Sequence, residues 1–345
     1  MAIFMFLLLA ATAKAQPCVV FEVTSAKYGG KTNYDITDSL AQAWTDACVS
    51  VWSSKLVVPS GTYWLRGATF IGPCKAPIKV QIQGKLKDPE DGHQLVNSDF
   101  WVAFRYIDRL YLSGGGTFDG QGALGWNTYR AINVRFDYIS NSIIQDITSL
   151  NSIRCNYRSE SSNTDGIHIA YSWRINVTDA NIETRDYCIS IGNGTSQLTV
   201  TNVNCGPGHG ISIGSLGKYL DEKPVYGLII KNCTLTNTTN GVRIKTWPSS
   251  PSARFASHIY FEDIIMNNVK NPIIIDQNYC PRHRCKQQAQ LNTKISNVSF
   301  KNIRGSSASQ VAINIACSGS LPCENVELIG IDLEYSGDGD RPITS

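Results

Sequence analysis

The sequence predicts an all-β protein, a single-stranded parallel β-helix with one short helix capping its N-terminal end. Three observations carry that reading. Short apolar runs alternate with polar residues at period two, the signature of strands, as in Ile175-Asn-Val177-Thr and Leu198-Thr-Val200-Thr. In each copy a second run begins about thirteen or fourteen residues after the first, at Ile189 after Ile175, Ile211 after Leu198, Val242 after Leu228, Ile273 after Ile259 and Val311 after Val298. The spacing between copies meanwhile varies from the low twenties to nearly forty residues. A constant offset with variable spacing means fixed strands and variable loops, and such strands bury their inner row by stacking as parallel coils. The third observation is the Asn, Asp and Gly between runs, residues suited to tight turns of positive φ.

Taken from the N-terminus, Met1 to Ala15 reads as a signal peptide, with an apolar run and the small-x-small site Ala13-Lys14-Ala15. The mature chain then begins near Gln16 and is secreted. Between Ser39 and Val49, Leu40, Ala43, Trp44 and Ala47 follow helical spacing and give the capping helix. No Pro/Ser-rich linker or charge run divides the remainder, so residues 16–345 read as one β-helix domain. An antiparallel sandwich would announce itself by two-residue Asn-Gly hairpins. The single candidate, Asn240-Gly241, falls in register with the other coils.

Eleven cysteines suit an oxidising compartment. Cys188/Cys205, Cys280/Cys285 and Cys317/Cys323 are spaced as local staples, and the odd total leaves at least one thiol unpaired. Asn-x-Ser/Thr sequons at Asn176, Asn193, Asn232, Asn237 and Asn297 fit a glycoprotein. A net charge of +3 argues against a polybasic nucleic-acid binder and is compatible with an acidic polysaccharide. After the leader no apolar stretch approaches the roughly 20 residues of a membrane span.

Laying the second runs above one another at Ile167, Ile189, Ile211 and Val242 gathers polar residues on one face. Asp165 precedes the first run, Asp186 and Tyr187 the second, and His209 the third. Alternation puts His168, Ser190, Ser212 and Arg243 outward, with Lys245 two residues beyond. Adjacent coils lie about 4.8 Å apart, so these residues converge on one cleft. Two carboxylates there can divide glycosidic cleavage, one protonating the leaving oxygen and the other activating water. Arg243 and Lys245 offer cations to a substrate carboxylate, and His209 a hydrogen bond to a sugar or a neighbouring carboxyl group.

Asn163-Thr-Asp165-Gly-Ile-His168, Cys205-Gly-Pro-Gly-His209-Gly-Ile-Ser and Gly241-Val-Arg243-Ile-Lys245-Thr-Trp247 resemble the motifs of the polygalacturonases, glycoside hydrolases of family 28. The resemblance runs from Val23 to about Tyr335, and the segment Asn271 to Cys280 looks like the plant, pollen-type exo-acting members. It implies a right-handed, pectin-lyase-like solenoid and inverting hydrolysis of α-1,4-galacturonosidic bonds in de-esterified pectin. It further implies a monomer of the cell wall, with polygalacturonate as partner and no cofactor or metal. The implied catalytic residues are Asp186 as general acid, Asp165 as one of the groups orienting water, and His209. The implied substrate-binding residues are Arg243, Lys245, Tyr279 and Asn163.

The pattern breaks where the family shows Gly-Asp-Asp-Cys and this chain has Arg185-Asp186-Tyr187-Cys188. Tyr187, not Asp186, takes the rung beside Asp165, so the missing group is the second, water-activating carboxylate. A phenol ionises near pH 10 in water and makes a poor base, and losing a general base costs on the order of 10²–10⁴ in rate. The expectation is therefore an impaired hydrolase, the alternative a catalytically silent pectin-binding wall protein. Lyase-type β-elimination would need a carboxylate-rich Ca²⁺ site, which this wall does not supply. The chain is also about a coil shorter than the family between Ser152 and Ser161 and ends without the family's cysteine-bearing tail, which makes Cys155 and Cys233 candidates for unpaired thiols.

Overall fold

A computed structural model describes residues 18–89, 99–121, 132–150, 164–281, 285, 293–337 and 343–344. The expected leader, Asn163 and Cys155 lie outside the described residues. Among those described, no helix is long and apolar enough to cross a membrane.

The coils stack in parallel, as the repeat predicts. The second runs form a ten-stranded sheet, running in chain order from Ala68–Ile71 through Phe100–Arg105, Ile132–Asp137, Ile167–Ala170, Ile189–Ile191, Ile211–Leu216, Asn240–Thr246, Asn271–Asp276 and Val311–Ala316 to Ile343–Thr344. The first runs fall into a second sheet, in which Ile175, Leu198, Leu228, Ile259 and Val298 are successive partners. In the ten-stranded sheet Ile167, Ile189, Ile211, Val242 and Ile273 share one rung and are all fully buried. Two residues along, Phe70, Phe104 and Phe136 continue the inner row as a stack with centroids 4.6 and 5.3 Å apart. Each such buried side chain contributes about 1.5–3 kcal/mol relative to exposure, so the core is a column of many equal terms.

One register departs from expectation. Ile313, not Val311, is the partner of Ile273, and Val311 is 37% exposed. A slip of two residues keeps the same side chains inward, so alternation cannot reveal it.

The turns follow the punctuation. Asp146, Asp179, Asn202 and Asn232 occupy one corner of successive coils at φ between 51 and 55°. Short polar side chains tolerate that region and bond to one another along the stack, Asn202 Nδ2 donating to Asp179 Oδ1 at 3.2 Å.

The capping helix spans Thr37–Val49, beginning two residues earlier than its apolar spacing suggests. The first intrahelical bond runs from the Leu40 amide to Ile36 O at 2.8 Å, and just ahead of it the Asp35 carboxylate accepts from the Thr37 amide at 2.9 Å and the Thr37 hydroxyl at 2.6 Å. Leu40, Ala43, Trp44 and Ala47 are buried on the end of the solenoid, with Trp44 edge-on to Phe70 at 4.9 Å. All three short-range staples form, and Cys48–Cys74 adds a bridge that spacing did not suggest. Among the described residues Cys18 and Cys233 are free. Burial pushes the Cys233 thiol up to about 11, which makes it inert.

Candidate active site

The outer face of the ten-stranded sheet brings together Asp165, Asp186, Tyr187, His209, Arg243, Lys245 and Tyr279, every site residue expected from sequence that lies among those described. Asp165 stands just before strand Ile167–Ala170, and Asp186 and Tyr187 just before Ile189–Ile191. The Gly166 amide donates to Tyr187 O at 2.9 Å and the Tyr187 amide to Asp165 Oδ1 at 3.2 Å, so Tyr187 is the neighbour of Asp165 across the coils. His209 precedes Ile211–Leu216 and follows the same logic one coil on. Its amide donates to Asp186 O at 2.7 Å and its Nδ1 lies 3.1 Å from Asp186 Oδ1. Gly210 permits the close approach of the following coil: its φ is 79°, and a Cβ would stand 2.1 Å from Asn240 O.

Asp165 is buried, at 8% exposure, in a shell of donors. Ser190 Oγ donates to its Oδ2 at 2.6 Å, and His168 Nδ1 lies 2.7 Å from that same hydroxyl. Burial, and then the charge of Asp186, push the Asp165 carboxyl up to about 7. Ser190, the Lys245 ammonium and the Tyr187 amide oppose that rise. Burial and the nearby Arg135 guanidinium push His168 down to about 3, so its imidazole stays neutral at any pH where Asp165 titrates. Sequence placed Ser190 and His168 on the outward row but not in contact with Asp165. Their link depends on rotamers, which alternation does not specify.

The raised carboxyl makes stability depend on pH. Folded, Asp165 keeps its proton up to about 7, whereas its ordinary value is 3.8. Between those values the folded chain binds more protons than the unfolded one. Its contribution is therefore full below 3.8 and is lost as pH rises through about 7. Asp165→Asn removes the slope, so the thermal midpoint of the variant minus that of the parent should increase from pH 4 to pH 8. A difference flat across that range would show that burial does not govern this group.

The cations sit on one strand two coils beyond Asp186. Arg243 and Lys245 share strand Asn240–Thr246, and Tyr279 follows Asn271–Asp276. Arg243 donates to Asp276 Oδ2 at 2.9 Å and to the Tyr187 hydroxyl at 3.3 Å, and its guanidinium stands 5.1 Å from the centre of the Tyr279 ring. Asp276 was not anticipated as a partner, although the register that sets it beside Lys245 holds the signal. Lys245, expected on an outward strand face, is only 6% exposed. Its ammonium lies 4.1 Å from the Tyr187 ring centre and 4.9 Å from that of Tyr279, a cation held by two π faces. Together these groups offer two carboxyl groups for proton transfer and, on one strand two coils beyond Asp186, a guanidinium and an ammonium for an anionic ligand.

Comparison with known proteins agrees with the geometry. The model of the family described as glycosyl hydrolases family 28 matches residues 48–152 and 130–344. A polygalacturonase of Gossypium barbadense is 45% identical over 362 residues, covering 96% of this chain and 88% of that protein. An exopolygalacturonase of Platanus acerifolia is 44% identical over 354 residues, covering 94% and 93%. Among solved structures, the endo-xylogalacturonan hydrolase from Aspergillus tubingensis superposes with a TM-score of 0.71 at 21% identity, over 92% of this chain and 93% of that one. The fold is thus the right-handed parallel β-helix.

Proposed function

This chain belongs to glycosyl hydrolases family 28, and from that membership we propose that it hydrolyses α-1,4-galacturonosidic bonds of de-esterified pectin with inversion at the anomeric carbon. The names of its relatives supply the substrate class. The observation that carries the chemistry is the electrostatic coupling of Asp165 and Asp186 on adjacent coils, with Arg243 and Lys245 two coils further along the same sheet.

In this reading Asp186 protonates the leaving oxygen, and Asp165 accepts a proton from a water attacking the opposite face of the sugar. Attack from that face inverts the centre. Asp165 must be charged for its task; burial and the charge of Asp186 hold its proton up to about 7. Protonating Asp186 for the acid's role removes the second of these causes, leaving the Ser190 hydroxyl, the Lys245 ammonium and the Tyr187 amide to favour the charged form. Arg243 and Lys245 receive substrate carboxylates, Tyr279 supports both cations, and Asn163 adds a polar contact. His209 holds Asp186 in place. The proposal extends to a monomer exported by its leader to the cell wall and carrying glycans.

A pectin-binding protein without turnover is the second reading, favoured by the phenol of Tyr187 where the family places a second carboxylate. Incubating purified protein with polygalacturonate separates the two. Hydrolysis gives new reducing ends without the ultraviolet absorbance of unsaturated sugars. Absence of new ends, with polymer still bound, would establish the silent form.

A further inference from the structure

The cleft wall beyond Tyr279 carries a second cation and ring that the chemistry above leaves unused. Trp247, Lys218 and Tyr279 each follow the C-terminal end of a strand in the ten-stranded sheet, on three successive coils. Trp247 meets Tyr279 edge-on, with centroids 5.9 Å apart. The Lys218 ammonium stands 5.3 Å from the Trp247 ring centre and 5.0 Å from that of Tyr219. Among the described residues the partners of Lys218 are these rings, not carboxylates. The indole N–H of Trp247 is buried without an acceptor, an unpaired donor that an incoming oxygen would satisfy.

The segment bearing Lys218 is held from beneath. Glu222 accepts from the amides of Gly217, Lys218 and Tyr219 at 2.6, 2.8 and 2.9 Å. Arg254 lies 3.6 Å from that carboxylate and donates to Tyr219 O at 3.0 Å. Both side chains are almost wholly buried, at 2% and 3% exposure. A buried ion pair is weak as a source of stability, because desolvation offsets its attraction. What this pair does achieve is a fixed path for the backbone, and hence a fixed origin for the Lys218 side chain.

We propose that Lys218 and Trp247 form a second acid-sugar subsite, Lys218 pairing with a uronate carboxylate and the Trp247 N–H donating to an oxygen of the same sugar. This uronate adjoins the one bound by Arg243 and Lys245, because Tyr279 touches both groups. The identity of the polymer rests on the hydrolase reading. The recognition itself does not, since the subsite reads charge spacing along a chain of uronates.

Calorimetry with oligogalacturonates of graded length, alongside KM and kcat on polygalacturonate, tests the subsite in Lys218→Met, Lys218→Arg and Trp247→Phe. Lys218→Met should weaken binding of long oligomers about tenfold, the scale of one charge-assisted hydrogen bond. It should leave the shortest oligomer unaffected, raise KM with kcat retained, and flatten the salt dependence of binding. Lys218→Arg should retain most of the affinity, and Trp247→Phe should lose part of it with the ring preserved. Equal affinity of parent and Lys218→Met at every length would overturn the subsite. Absence of turnover in the parent with Lys218-dependent binding retained would overturn the hydrolase reading and leave the subsite standing.

Discussion

Asp186→Asn is expected to lower turnover of polygalacturonate by about 10²–10⁴-fold, the contribution of one general acid, while KM stays within about twofold because no binding cation is touched. The amide keeps the shape of the side chain, and its oxygen can still meet His209 Nδ1, which lies 3.1 Å from Asp186 Oδ1. Fold and cleft should therefore survive, and the loss falls on proton donation to the leaving oxygen. A second consequence follows from the shared electrostatics. The charge of Asp186 is one of the causes that raise Asp165, so the Asp165 carboxyl should titrate lower in the variant. Carbon-13 shifts of labelled aspartate through pH 4 to 9 would read that change directly. Turnover within a few-fold of the parent would remove Asp186 from the acid's role.

Tyr187→Asp is expected to act in the opposite direction, raising turnover by about 10²-fold or more, the lower end of what a general base contributes. The backbone of residue 187 already bonds to Asp165 Oδ1 at 3.2 Å, so a carboxylate there would stand beside Asp165. Two like charges at that spacing repel, but the cations are in place to offset them. Arg243 donates to the phenol at 3.3 Å, and the Lys245 ammonium lies 4.1 Å from the ring centre. Removing the ring also clears volume in which a nucleophilic water can be held between two carboxylates. Reducing-end assays on parent and variant in parallel measure the gain. Unchanged or lower turnover in a variant with the parent's thermal midpoint would show that Tyr187 is not the limiting substitution.

The solenoid was legible because its signals are local and repeated. Ile175, Leu198, Leu228, Ile259 and Val298 recur at first-run positions, and they are the residues that stack. The site was legible for the same reason: a fixed offset from each run converts sequence position into height along the axis. Period-two patterning fails in two ways here. It cannot see the two-residue slip that seats Ile313 rather than Val311 above Ile273, and it tells outward from inward without telling exposed from covered. Lys245 and Ser212 point outward, yet they are 6% and 0% exposed. The Cys48–Cys74 bridge, the Ser190 contact to Asp165 and the Glu222–Arg254 support of the Lys218 segment depend on side-chain rotamers and loop paths that the coil repeat does not specify. Only the folded chain displays them.

Hydrolysis by a single water, deprotonated at Asp165 and attacking opposite the bond that Asp186 protonates, is best tested by the configuration of the freshly released sugar. Proton NMR during the first minutes of digestion of polygalacturonate should show the β anomer appearing first, with the α anomer growing in only as the product mutarotates. The α anomer appearing first would mean retention, and with it a covalent glycosyl-enzyme intermediate. That outcome would contradict the roles assigned here to Asp165 and Asp186.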